Sequence, residues 1–385
     1  MILIIAPYSP LNRGCPTNLG ASRKIESVIS ILSKLDPVLV LLNSAHNEIR
    51  LSPLSENNVV ISGVCLIEIT PPTFINRPLG KLLNIFNIES VFKAIERFGT
   101  PKLVWFYNAY AFEMRFALRA RTKFKFVHFI LEFEDWHFSR RRRFQIKACI
   151  DYIFWVRAAR LMSCTFVVNK MLAAKMSPYV GRIELLPGIV PAILYKISQN
   201  INRVPFDSSE VKVGYFGGLS LEKGADIVLR LATLLPSGFV LHVSGTGHLE
   251  SEFYEYSRKF PNQIFYYGKV DEVTLYRLIE ECDVILNPHT SLAEMDNGVF
   301  PFKVIEAIAS GRLLISTPVP KDGLESVLRD VQFVPHSAES FSLAIERSRE
   351  SWTQLHKMEN ECSAIANNSF GEDALLSIIS EVISD

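Results

Sequence analysis

"VKVGYFGGLSLEKGADIVLRLATLLP" (residues 211–236) begins as an apolar strand, turns at a pair of glycines and continues with helical periodicity. A strand, a glycine turn and a helix in that order are half of a β-α-β unit, so the segment asks for a parallel sheet. Gly217 and Gly218 let backbone approach a ligand, and Lys223 adds a point charge at the start of the helix. The plainer alternative is a closed turn with a solvated lysine. The segment is not a Walker A loop, because the Gly-Lys-Ser/Thr ending is absent.

The same unit recurs downstream. "FVLHVSGTGHLESEFYEYSRKF" (239–260), "IFYYGKVDEVTLYRLIEECDVILNPHT" (264–290) and "GVFPFKVIEAIASGRLLIST" (298–317) each combine an apolar strand, a polar or glycine turn and a helix. Open sheets of this kind bind ligands at the carboxyl ends of their strands. "SGTGHLE" (244–250) opens like a dinucleotide fingerprint but lacks its third glycine, which argues against a nicotinamide dehydrogenase. In the last segment Pro301 starts and Gly311 stops a helix of about 10 residues. On its wheel Phe302, Val304, Ile305, Ile308 and Ala309 share one side, and Lys303, Glu306 and Ser310 the other. Lys303 and Glu306 are then either a solvated i,i+3 pair or part of a binding site.

Working outward, the first half has strand-like runs at "ILIIAP", "PVLVLLN", "VCLIEIT", "LVWFYN", "FKFVHFI" and "CTFVVN", with helical patterns at "SRKIESVISILSKL" and "NIESVFKAIERFG". The pattern loosens near 190, and the expected division is a first domain over 1–190, a linker over 191–210, a second domain over 211–350 and terminal helices over 351–385. Those helices are expected to cross back to the first domain. A chain of 385 residues suits two domains. Its 41 basic and 40 acidic residues leave a net charge of +1, so no global field draws it to nucleic acid. No apolar run is long enough to suggest a membrane span. The N-terminus reads as a buried strand rather than a signal peptide. The six cysteines form no C-x-x-C pair or zinc-like cluster, so reduced thiols of a cytoplasmic protein are the simplest account.

Read in order, "YFGGLSLEKG", "LHVSGTGHLESEF", "IFYYGKVDEVTLYRLIEECDVILNP" and "FPFKVIEAIASGRLLIST" resemble the C-terminal domain of retaining glycosyltransferases of family 4, with the GT-B fold. More loosely, "APYSPLNRGCPTNLGASRKIESVISILSKL" resembles the family's first glycine-rich loop and helix, and "CTFVVNKMLAAKMSPYVGRIELLPGIV" the stretch leading to its interdomain linker. The resemblance implies an α/β protein of two Rossmann-like domains facing each other across a nucleotide-sugar cleft. It implies that Glu306 binds the donor ribose and Lys223 its diphosphate. Amides at Phe302 and Lys303 would meet phosphate, and Lys269 and Val270 the base. Gly20, Gly217, Gly218, Gly245, Gly298 and Phe300 are the remaining donor-side positions.

The chain also departs from the family. Gly298 stands where the first glutamate of Glu-x7-Glu is expected, and Gly218 where an arginine precedes the phosphate lysine. Glu294, Asp296 or Asn297 is the alternative contact to the sugar. In "FVHFILEFEDWHF" (126–138), His128, Glu132, Glu134, Asp135 and His137 are candidates for contact with donor sugar or acceptor; the alternative is a core His128 and a solvated acidic loop. Arg140 to Arg143, with Phe144, Tyr152, Phe154 and Trp155, suggest contact with anionic lipid or a lipid-linked diphosphate, or else a plain basic helix face.

The reaction implied is retaining transfer of a sugar, as in polysaccharide biosynthesis, from a nucleotide-diphosphate sugar to a saccharide or lipid-linked saccharide acceptor. No cofactor and no metal are expected. The alternatives are a sugar-nucleotide epimerase or hydrolase on the same fold, and a catalytically silent binding subunit.

Overall fold

A computed structural model describes residues 1–6, 19–43, 50–53, 65–69, 84–139, 145–199, 210–290, 300–350 and 352–384. The chain divides into two compact units, Met1–Ile189 with Asp373–Asp385, and Val190–Asp296 with Phe300–Glu372.

The first unit is built on an eight-stranded sheet. Its strands are β1 (Ile2–Ala6), β2 (Val38–Asn43), β3 (Arg50–Pro53), β4 (Cys65–Ile69), β5 (Leu103–Tyr107), β6 (His128–Phe133), β7 (Cys164–Val167) and β8 (Ile183–Leu185). They lie in the order β3-β4-β2-β1-β5-β6-β7-β8. Every pairing is parallel except β3 with β4 at the edge. The helices are α1 (Leu19–Ser33), α2 (Ile88–Glu96), α3 (Ala111–Lys123), α4 (Gln145–Ala158) and α5 (Lys170–Met176). β1 and β5 are buried along their whole length, which explains why they read as unbroken apolar runs rather than alternating ones.

One strand is displaced from its expected place. The run "FKFVHFI" begins four residues too early: Phe124 caps α3 and Phe126 turns through a left-handed conformation (φ 58°), so β6 starts only at His128 and reaches Phe133. Apolar composition does not distinguish a residue that turns the chain from one that pairs.

The second unit has a six-stranded parallel sheet in the order β11-β10-β9-β12-β13-β14. Its strands are β9 (Val211–Phe216), β10 (Phe239–Ser244), β11 (Ile264–Tyr266), β12 (Val284–Asn287), β13 (Leu313–Ser316) and β14 (Gln332–Phe333). Around it lie α6 (Ala192–Gln199), α7 (Ala225–Leu231), α8 (Glu250–Lys259), α9 (Glu272–Glu281), α10 (Phe302–Ala309), α11 (Ala338–Glu350) and α12 (Trp352–Phe370).

Two departures from the expected division follow. Residues 192–199, read as the start of a linker, are helix, because Leu194 and Ile197 bury an apolar face. Of the terminal helices, α12 belongs to the second unit. Only the last helix, α13 (Glu372–Ser384), joins the first, placing Leu375, Ile379 and Val382 in the core with Ile2, Ile4, Ile25 and Val28. Among the described residues, no helix is long and apolar enough to cross a membrane.

Candidate functional site

At the carboxyl edge of the second sheet, the loops after β9, β10 and β11 are stitched in a row. The Gly217 amide donates to Ser244 O (3.0 Å), while the Gly245 amide and Ser244 Oγ both donate to Gly268 O (2.9 and 3.0 Å). Close approach demands glycine at Gly245: with φ at 149°, a Cβ there would stand 1.8 Å from Gly217 O. At Gly247 a Cβ would come within 2.3 Å of Leu219 O.

Lys223 ends a 3-10 turn over Leu221–Lys223 that follows the Gly217–Gly218 pair. The Tyr215 hydroxyl, beneath the turn, is 2.8 Å from Gly218 O and 3.2 Å from Lys223 O, the two carbonyls it can donate to. Lys223 Nζ is 3.0 Å from His289 Nε2 and 3.3 Å from Glu222 Oε1. Burial, with the nearby Lys223 and Lys303 charges, brings the His289 pKa down to about 4. The imidazole is therefore neutral near pH 7: Nδ1–H donates to Thr290 O (3.0 Å) and Nε2 accepts from the Lys223 ammonium. The neutral His289 and the exposed Glu222 carboxylate together position the Lys223 amine.

α10 brings Lys303 and Glu306 to the same unit. Pro301 is the cap rather than the first helical residue, and the helix has 8 residues, not about 10. The solvated-pair reading does not hold: Glu306 is only 5% exposed. Val304 through Ala309 are all buried, because α10 is covered by α12, whose Ser363 Oγ and Asn367 Nδ2 donate to Ala309 O (2.7 and 3.2 Å). Phe300 is buried, Phe302 half-buried, Lys269 exposed and Val270 half-buried. Gly298, Glu294, Asp296 and Asn297 lie outside the described residues, as do Arg140 to Arg143 and Phe144.

The first unit holds a separate polar cluster at the carboxyl ends of β5 and β6. Lys24 Nζ, from α1, is 2.6 Å from an oxygen of Glu132 and 2.6 Å from one of Glu134. Trp105 Nε1 donates to the other Glu132 oxygen (3.0 Å), Tyr107 Oη to the other Glu134 oxygen, and the Glu134 amide to Asn108 Oδ1 (2.9 Å). Asn108 sits in the left-handed region (φ 63°), which suits asparagine at a strand end. Burial works to lower the Lys24 pKa, but Glu132 and Glu134 outweigh it and hold the amine above its ordinary value. Burial raises the Glu132 pKa despite Lys24. Glu132 is 1% exposed and Glu134 is 29% exposed, so Glu134 is the carboxylate of the pair that reaches solvent.

Asp135 approaches His137 Nδ1 (3.5 Å). His128 is not brought to this cluster: it is the first residue of β6, four residues and ~13 Å along the strand from Glu132. Gly20 lies in the first turn of α1. Trp155, grouped in sequence with the arginines, is fully buried.

Lys24, Tyr107, Asn108 and His289 escaped the sequence reading. The last three stand at or just after strand carboxyl ends, a positional signal available in "LVWFYN" and "VILNPHT"; Lys24 carried none beyond an amphipathic helix. Among the described residues, no group of three or more His, Cys, Asp or Glu is disposed to hold a metal ion.

Residues 210–350 match the family model of glycosyl transferases group 1. Over nearly the whole chain the fold is that of solved GT-B proteins. Sucrose-phosphate synthase from Thermosynechococcus elongatus superposes with a TM-score of 0.71 at 14% identity, covering 99% of this chain and 97% of that one. HepE from Anabaena, solved with UDP and glucose, gives 0.67 at 15% identity over 100% and 99%. A glycosyltransferase from Rickettsia africae gives 0.67 at 14% over 99% and 97%. No curated protein sequence matches the chain.

Proposed function

We propose that the protein is a retaining glycosyltransferase that moves a sugar from a nucleoside-diphosphate sugar to a saccharide or lipid-linked saccharide acceptor. The observation that carries this reading is the Gly217–Gly218 turn, with Lys223 held beside it by a neutral His289, inside the segment that matches the group 1 family model. Lys223 and the amides at the start of α10 bind the diphosphate. Glu306 accepts hydrogen bonds from the ribose diol, the charge on the acceptor strengthening both. The bond from the anomeric carbon to the phosphate oxygen breaks as the acceptor oxygen bonds to the same face. The acceptor's proton passes to the departing phosphate, whose charge Lys223 stabilises.

Glu134, anchored by Lys24 and Tyr107 and open to solvent, is the first unit's contact for sugar or acceptor hydroxyls. Membrane association is part of this reading. Its support is an apolar stripe on α4, where Ile146, Ile153 and Val156 are 79%, 49% and 42% exposed, beside exposed Arg157.

A panel of nucleoside diphosphate sugars, screened by calorimetry and followed by NMR of the product's anomeric configuration, tests the reading. One donor should bind, with Glu306→Ala weakening it by roughly 1.5–3 kcal/mol. Inverted product, or donor turnover that never needs an acceptor, would overturn it.

A further inference from the structure

Glycine at 217 and 218 is not required by the backbone. Neither residue lies in the left-handed region, and a Cβ on either would touch no main-chain atom within 4 Å: at Gly217 it would stand 3.6 Å from Lys303 Nζ, and at Gly218 3.7 Å from Lys223 Cγ. This contrasts with Gly245 and Gly247, where the clash is with carbonyls. The nearest neighbours of both glycines' missing side chains are therefore lysine side chains at ordinary contact distance, Lys303 beside Gly217 and Lys223 beside Gly218.

Lys303 is the less expected of the pair. Its Nζ is buried and has no hydrogen-bond partner among the described residues. It lies over the face of the Tyr215 ring, 4.5 Å from the ring centroid. A buried cation supported by a ring face and close enough to Lys223 to feel its charge is unfavourable unless an anion joins them.

We propose that the Lys303 ammonium is a second, inner ligand of the donor diphosphate, forming with Lys223 the two sides of one anion subsite floored by Gly217 and Gly218. This rests on the nucleotide-sugar reading above and extends it to a side chain with no part in that mechanism.

The groups around Lys303 agree. Tyr215 from β9 is held neutral by burial, His289 from the loop after β12 is neutral, and Lys223 is cationic; Glu306 lies one turn further along α10. Burial, then Lys223, brings the Lys303 pKa to about 7. An arriving diphosphate restores the charged form, so binding above pH 7 takes up a proton.

Titration of inorganic pyrophosphate and of UDP, GDP and ADP into the full-length protein, Lys303→Met and Lys303→Arg tests this. Lys303→Met should weaken pyrophosphate roughly tenfold to a hundredfold, the range of a charge-assisted hydrogen bond. At pH 8, comparison of two buffers of different ionisation enthalpy should show about one more proton taken up by the wild type than by Lys303→Arg, whose guanidinium cannot deprotonate. The arginine variant keeps the test alive should the methionine variant not fold. Equal pyrophosphate affinity in wild type and Lys303→Met, or equal proton uptake in wild type and Lys303→Arg, overturns the subsite. Pyrophosphate binding that depends on Lys303 while no nucleoside diphosphate binds supports the subsite and overturns the nucleotide-sugar reading.

Discussion

Replacing Lys303 by methionine should make the second unit more stable, and by an amount that depends on pH. The amine titrates at 10.5 in the unfolded chain and at about 7 in the fold, brought down by burial first and by Lys223 second. Between those values the unfolded chain holds the proton and the native chain does not. Stability therefore rises with pH from 7 to 10.5, and the burden is fully present below 7. At ~1.4 kcal/mol per pH unit, the protonated amine weighs against the fold by ~5 kcal/mol in acid, by ~4 at pH 7 and by ~2 at pH 9. Methionine fills a similar volume and carries no charge to desolvate.

Amide exchange at β9 measures this, since its protection reports opening of the second unit. Comparing wild type with Lys303→Met at each pH cancels the chemistry of exchange. The variant's excess protection should shrink by ~2 kcal/mol from pH 7 to pH 9. A difference that stays flat over that range, or a variant less protected than wild type at pH 6, refutes a buried amine without a hydrogen-bond partner among the described residues. Retention of so unfavourable a group is understandable if it serves an anion, as functional sites often sacrifice stability.

Gly217→Ala should fold normally but lower pyrophosphate affinity, whereas Gly247→Ala should lose stability outright because its Cβ would press on Leu219 O at 2.3 Å; thermal melts and calorimetry on both separate the outcomes. Lys24→Met strands Glu132 and Glu134 without their shared cation and should destabilise the first unit by about 3–5 kcal/mol in urea unfolding, with an unchanged midpoint refuting the pairing. Transfer should persist in excess EDTA, because lysines and helix-end amides supply the positive potential at the diphosphate; activity abolished by chelation and restored by manganese would contradict the role given to Lys223. Sedimentation with anionic liposomes should fall when Ile146 and Ile153 are changed to aspartate, and unaltered sedimentation would remove α4 as the contact.

Several features were legible from the chain alone, for a local reason. Strands buried on both faces must be apolar throughout, so β1 and β5 announced themselves, and the apolar-rich runs of β9, β10 and β11 marked the openings of three repeated segments of the second half. The turn at "GGLSLEK" between β9 and the following helix was legible too, because small residues after an apolar run mark where a strand ends. What escaped was set by contacts between distant segments. Glu306 reads as solvent-facing on its own helical wheel, yet the packing of α10 within the second unit leaves it only 5% exposed. Lys303 reads as its exposed neighbour, yet the fold turns its amine onto Tyr215 and Gly217 and leaves it without a hydrogen-bond partner among the described residues. Lys24, separated from Glu134 by 110 residues, cannot be matched to it by any periodicity. Periodicity reports which face a segment shows to its nearest layer. Which charges meet, and which meet no partner, depends on the second layer, and only the tertiary structure decides that.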